Sequence, residues 1–227
     1  MGNLISNTLD KICYRCNTIA TNVEHVPAKC FFPKEHRKNL ITVPSCEQHN
    51  NETSKDDEYV RGIIVAAKGN NETAKIHWKG MVRRTFLKRP KLFLTTYSKQ
   101  RENSFFHDRR RMDSVMIKIA HALYFKEYGR HWLLNPYPFY ENMFDDEGKS
   151  DIEVRLPDYN SIPPYHVFSG ENPEIFKYYF LEGKVGSDID CLLRMVFYGG
   201  FSVLMLPLGD NHRGDPLTTV FYLKKRQ

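Results

Sequence analysis

Two short cysteine/histidine pairs stand near the start of the chain: Cys13-x-x-Cys16 and Cys46-x-x-His49. Each pair has the bite that lets both members reach a single ion. Three thiolates and one imidazole close a tetrahedral Zn²⁺ site. A closed four-ligand site leaves no open position for water or substrate, so the chemistry it implies is structural. It would clamp a segment of roughly 35 residues that is too short to bury a core of its own. Cys30 is a further thiol within that segment. Spacing alone leaves open whether Cys30 or His49 is the fourth ligand.

Between and just after the two pairs stand Glu24-His25-Val26-Pro27, Asn39-Leu40-Ile41 and Asn50. An acidic-His dipeptide, a downstream Asn, and a Cys-x-x-Cys/His pair followed at once by Asn together resemble the HNH endonuclease family. The resemblance covers residues 13 to about 60, roughly the first quarter of the chain, and the Tyr59-Val60-Arg61 tail is similar to that of many bacterial members. Any one of these parts alone is a weak signal; their combination is fairly specific.

The resemblance implies a ββα-metal unit in which His25 is the general base, taking a proton from the attacking water. It implies that Glu24 and Asn50 hold one catalytic divalent ion. A carboxylate and an amide oxygen suit a hard ion such as Mg²⁺, or Mn²⁺ in its place. Asn39 would orient His25 or tie the loop. Two departures stand out. Many members carry Asp where this chain has Glu24, and the stretch from Asn39 to Asn50 is slightly longer than the commonest pattern. Asn50 and Asn51 therefore both remain candidates for the metal, with Asn50 preferred.

The elements that must position these residues are also legible. Short β-branched runs over 22–27 and 40–44 read as two strands flanking a charged loop. Ser45 stands three residues before Gln48, a capping-box spacing that opens a helix. A second helix starts at the acidic run after Ser54 and ends at Lys68-Gly69-Asn70-Asn71. A third spans 72–87, stopped by Pro90, and a fourth spans 112–128 with Met112, Val115, Ile119, Ala122 and Leu123 as an apolar stripe. Beyond Trp132 prolines break up a looping stretch. Strand-like runs follow over 176–181, 191–198, 201–206 and 218–223, with Gly199-Gly200 as a two-residue hairpin turn. The expectation is an α+β fold: a zinc-stapled ββα-metal unit over 1–68, a basic helical region over 69–131, and a C-terminal region over 132–227 whose small antiparallel sheet packs on the 112–128 helix.

Charge divides the 227 residues in the same way. Residues 1–60 carry seven basic and eight acidic residues, 61–131 carry 17 and five, and 132–227 carry nine and 14, or −1, +12 and −5. A basic block of this kind is the footprint of a polyanion. Lys75, Lys79, Arg83, Arg84, Lys88 and Arg89 are its candidate phosphate contacts, which would make binding salt-dependent and largely sequence-independent. An apolar content of 41% excludes a disordered chain, and no apolar run is long enough for a membrane helix. The five cysteines are an odd number and argue against a disulfide framework, which favours a reducing, cytoplasmic setting. The expected function is a DNA endonuclease working by one-metal hydrolysis, by analogy an effector in restriction or phage defence. The alternatives are a zinc-stapled nucleic-acid-binding module without catalysis, and an RNA-cleaving effector controlled by a protein partner through the acidic C-terminal region.

Overall fold

A computed structural model describes residues 12–97, 100–101, 104–105, 107–141, 166–169, 171–182 and 191–207. Within them helices combine with small antiparallel sheets, an α+β arrangement. The first sheet is a hairpin: β1 (Asn22–His25) pairs with β2 (Thr42–Ser45) in a register that sets Glu24 against Val43 and His25 against Thr42. The intervening loop holds two 3-10 turns, Lys29–Phe31 and Lys34–His36. The short helix α1 (Glu47–Asn51) follows directly, and it begins with Cys46 rather than Ser45 at the N-cap.

Helix α2 (Ser54–Ala66) lies across the hairpin loop and buries Tyr59, Val60, Ile63 and Ile64. The side chain of Asn70 folds back to donate 2.6 Å to the Ile64 carbonyl, satisfying a carbonyl at the C-terminal end of α2. Asn71 then caps α3 (Glu72–His77), accepting from the Ala74 amide at 3.2 Å. A π turn (Trp78–Val82) leads from α3 into α4 (Arg83–Lys88), so the helix expected over 72–87 forms with a bulge inside it. Pro90 does more than stop that helix. It opens α5 (Pro90–Tyr97), because a proline at a first helical position loses no intrahelical bond. Two-residue strands β3 (Gln100–Arg101) and β4 (Ser104–Phe105) pair with each other.

The longest helix, α6 (Arg109–Tyr128), starts three residues ahead of the apolar stripe because Asp108 caps it, accepting from the Arg110 and Arg111 amides. Gly129, at φ +63°, ends it. The five stripe residues Met112, Val115, Ile119, Ala122 and Leu123 are all buried, as the spacing predicts. The helix packs against α2 and also against a five-stranded antiparallel sheet of order β5-β9-β8-β7-β6: β5 (Pro136–Tyr140), β6 (His166–Ser169), β7 (Phe176–Glu182), β8 (Cys191–Phe197) and β9 (Phe201–Pro207). Strand β8 alternates buried and half-buried positions, sending Leu193, Met195 and Phe197 inward. Tyr124 of α6 meets Phe180 edge-on at 6.3 Å, and the Tyr178 hydroxyl donates 2.7 Å to Glu127.

Two local expectations need correction. The proline-rich stretch after Trp132 contains strand β5, which tolerates Pro136 and Pro138 because it lies at the sheet edge and pairs only with β9. The turn between β8 and β9 spans three residues, since Phe197 pairs with Phe201. Tyr198 and Gly199 both adopt positive φ, +52° and +71°. Tyr198 accepts this conformation with its hydroxyl anchored, donating to the Phe31 carbonyl at 2.5 Å and lying 2.6 Å from Nδ1 of His77. The strand expected over 218–223 lies outside the described residues.

Candidate metal centre and its surroundings

The first donor pair sits on a tight knuckle preceding β1. The Cys13 amide donates to Thr18 (2.9 Å) and the Tyr14 amide to Pro44 (2.9 Å), so the knuckle is stitched both to itself and to β2. The second pair is delivered by the exit of β2, with Cys46 at the N-cap of α1 and His49 one turn along. Four donor atoms, from Cys13, Cys16, Cys46 and His49, lie within 4.8 Å of one another. Nδ1 of His49 stands 3.5 Å from Cys13 Sγ, 3.6 Å from Cys16 Sγ and 3.2 Å from Cys46 Sγ, and Cys16 and Cys46 are 4.0 Å apart. Tetrahedral Zn²⁺ with bonds of about 2.3 Å to sulfur and 2.0 Å to nitrogen would separate its ligands by roughly 3.5–3.8 Å. The cluster has the right composition and size to hold such an ion. Its inner thiols, Cys13 and Cys46, are buried, and burial pushes the Cys13 thiol up, a cost that a bound cation would reverse.

Cys30 is not a member of this cluster. It lies in the first turn of the hairpin loop, where burial pushes its thiol up to about 12, so it is an inert packing residue. His131 braces the knuckle, with Nε2 2.9 Å from the Cys13 carbonyl.

Glu24 and His25 are adjacent on β1 and so point to opposite sides of the hairpin. Glu24 is 6% exposed and turns inward, while His25 is half-buried. No described residue hydrogen-bonds to His25, and its Nδ1 is buried without a partner. Burial, reinforced by the nearby Lys29 charge, holds the imidazole below its ordinary range, so it is neutral at pH 7. Asn50 is half-buried on α1; Asn51 is exposed and donates to the Glu47 carbonyl at 3.2 Å. Asn39 is exposed at φ +48°, a left-handed position that suits Asn and turns the chain toward β2. No hydrogen bond joins it to His25 among the described residues.

The structure adds two residues that the spacing of motifs did not single out. Nζ of Lys118, from the middle of α6, lies 2.8 and 3.0 Å from the two carboxylate oxygens of Asp57 on α2, and 3.4 Å from Oε1 of Glu24. All three side chains are buried. Burial raises both carboxyls and Lys118 opposes that rise in each case. A signal was present for Lys118. It stands three residues after Val115 and four before Ala122, so it interrupts the apolar stripe of α6, and a buried lysine needs a counter-charge. Asp57 was indistinguishable from its neighbours in an acidic helix start.

Lys75, Lys79, Arg83, Arg84, Lys88 and Arg89 are all exposed on α3, the π turn and α4, or just after it. Lys75 pairs with Glu72 at 3.0 Å and Arg89 with Glu58, while Lys79, Arg83 and Lys88 form no ion pair among the described residues. Ile76 and Leu87 are exposed on the same stretch, so the surface is basic but not purely polar. Among the described residues, no helix is long and apolar enough to cross a membrane. Set against known proteins, the chain matches no family model, and neither a curated protein nor a solved structure matches it.

Proposed function

We propose that this chain is a metal-dependent endonuclease of the HNH type that hydrolyses phosphodiester bonds in DNA. One observation carries the reading. The strand that bears Glu24-His25 is paired to the strand that delivers Cys46 and His49 into a four-donor metal cluster, with Asn50 on the helix that follows. In this reading the Cys13/Cys16/Cys46/His49 cluster binds zinc and fixes the hairpin against α1, so that β1 presents its side chains at a defined height.

His25 is the general base. Its depressed basicity keeps it neutral and able to accept a proton at pH 7, and with no hydrogen bond to its ring among the described residues Nε2 is left for the attacking water. Glu24 and Asn50 would hold the catalytic Mg²⁺ or Mn²⁺, with Asn39 shaping the loop. When bound, that ion supplies electrostatic stabilisation of the charge that develops on the phosphate and the leaving oxygen. The unpaired Lys79, Arg83 and Lys88, with Lys75, Arg84 and Arg89, form the backbone-tracking surface. The acidic C-terminal region is left for a regulatory protein partner, and a cytoplasmic role in restriction or phage defence rests on analogy.

A second reading is favoured by one specific feature. Glu24 is already in contact with Lys118, as it would be in a zinc-stapled nucleic-acid-binding module without catalysis. The two readings part in a cleavage assay with the full chain on single- and double-stranded DNA and on RNA, with Mg²⁺, Mn²⁺, Zn²⁺ or EDTA. The nuclease reading expects divalent-dependent cleavage of DNA. Cleavage of RNA alone would reassign the substrate, and salt-sensitive binding without cleavage under any metal would leave the binding module.

A further inference from the structure

The buried charges behind Glu24 are more than a neutralising contact. Lys118 directs both of its short contacts, 2.8 and 3.0 Å, to Asp57 and only a longer one, 3.4 Å, to Glu24. Asp57 is itself held from the other side by the Thr53 hydroxyl, 3.5 Å from each oxygen. The chain of contacts therefore runs Thr53, Asp57, Lys118, Glu24, linking the start of α2 through α6 to β1. Lys118 bonds chiefly to Asp57, and Glu24 takes its longer contact.

Two carboxyl groups thus share one ammonium. Oε1 of Glu24 meets Lys118, while Oε2 takes no hydrogen bond from any described residue. On a side chain only 6% exposed, that second oxygen is the one left to ligate a hard cation, which takes oxygen ligands. An ion cluster kept only for stability has a cheaper alternative, since well-packed apolar residues commonly replace buried ion pairs without loss.

We propose that Lys118, anchored by Asp57, is a positioning residue that orients the Glu24 carboxylate toward a divalent cation. This rests on the nuclease reading, which makes Glu24 a ligand of the catalytic ion. Lys118 does not touch substrate or the reacting atoms. Its part is to hold one ligand in place, as hydrogen-bonded partners of metal ligands generally do.

The test is Mn²⁺ binding to the zinc-loaded full chain, followed by electron paramagnetic resonance, in wild type and in Lys118→Met, Lys118→Arg and Asp57→Asn. Zinc content is measured on each sample. Loss of the tether is expected to weaken Mn²⁺ binding about 10-fold or more in Lys118→Met and Asp57→Asn. Lys118→Arg, which keeps the charge and the reach, should recover most of it, with zinc stoichiometry the same throughout. Mn²⁺ binding of wild-type strength in both Lys118→Met and Asp57→Asn would overturn the positioning role. If Lys118→Met does not fold, the near-isosteric Asp57→Asn decides alone. An absence of bound Mn²⁺ in the wild type would instead overturn the nuclease reading, and the two failures are thereby distinguished.

Discussion

The hairpin region, from the Cys13 knuckle through α2, and the α6–sheet region bury different kinds of side chain. Around α6 the interior is mainly aromatic and aliphatic: Tyr124, Phe180, Leu193, Met195 and Phe197 are all within 1% of full burial, with Lys118 and His121 as the buried polar side chains of that helix. In the hairpin region Glu24, Ser45, Thr53 and Asp57 are buried alongside the thiols of Cys13 and Cys46. Apolar burial of about 25 cal/mol per Å² holds the first kind of interior without help. The second kind is costly unless every polar group finds a partner, and its thiols lie in a cluster that could hold a metal. The region that is harder to stabilise is therefore the one to which the proposed chemistry is assigned.

The sharpest way to break this contrast is to remove the metal. Chelation should strip a binding free energy of about 10–16 kcal/mol, the range for structural zinc sites. Backbone amides of the hairpin, Val26 and Val43 among them, should then lose their hydrogen-exchange protection while those of β8 and β9 keep theirs. Equal loss in both regions would show that they are not separable, and no loss in either would show that the cluster needs no ion.

The seam between the regions gives a smaller effect. The turn after β8 presses on the loop after α2 so closely that a Cβ at Gly200 would lie 2.4 Å from the amide nitrogen of Asn70 and the carbonyl carbon of Gly69. The Asn71 amide donates to the Tyr198 carbonyl across the same seam at 3.0 Å. Because backbone cannot rotate away as a side chain can, Gly200→Ala should cost about 1–3 kcal/mol in denaturant unfolding. A neutral result would mean that the seam is looser than this contact implies.

A further effect is in pH. His77 is buried against Tyr198, and burial with the nearby Arg61 charge lowers its pKa to about 3. The folded state keeps it neutral, whereas the unfolded chain takes up a proton near 6.5. Stability is therefore complete above about pH 6.5 and declines as pH falls toward 3, by about 1.4 kcal/mol per pH unit for this one group. The same holds for His121, also lowered to about 3 by burial. Thermal midpoints measured from pH 7.5 to 5 should fall, and His77→Gln should flatten part of that slope. An unchanged slope in the variant would place the proton uptake elsewhere.

What could be read from the sequence was whatever has a short-range signature. The Cys/His pairs announce themselves by spacing, and the cluster they form excludes Cys30 in favour of His49. The stripe of α6 follows from helix periodicity, and β8 from a short apolar run bounded by Gly199-Gly200. Elements whose signals conflict were lost: β5 hides behind two prolines, and its place at the sheet edge, which makes them tolerable, is a tertiary fact. Asp57 and Lys118 are 61 residues apart, and nothing local links them. Only packing of α2 against α6 shows that an acidic helix start and an interruption in an apolar stripe are two halves of one cluster.

The central claim is that the hairpin carries His-dependent phosphodiester hydrolysis. Its most direct test is nicking of supercoiled plasmid with Mg²⁺ by wild type and by His25→Ala, both matched for zinc content and unfolding midpoint. The account predicts nicking by wild type and a loss of about 10²–10⁴-fold in the variant, the range for removing a general base. Equal nicking by the two proteins, or none by the wild type with any divalent ion, would contradict it.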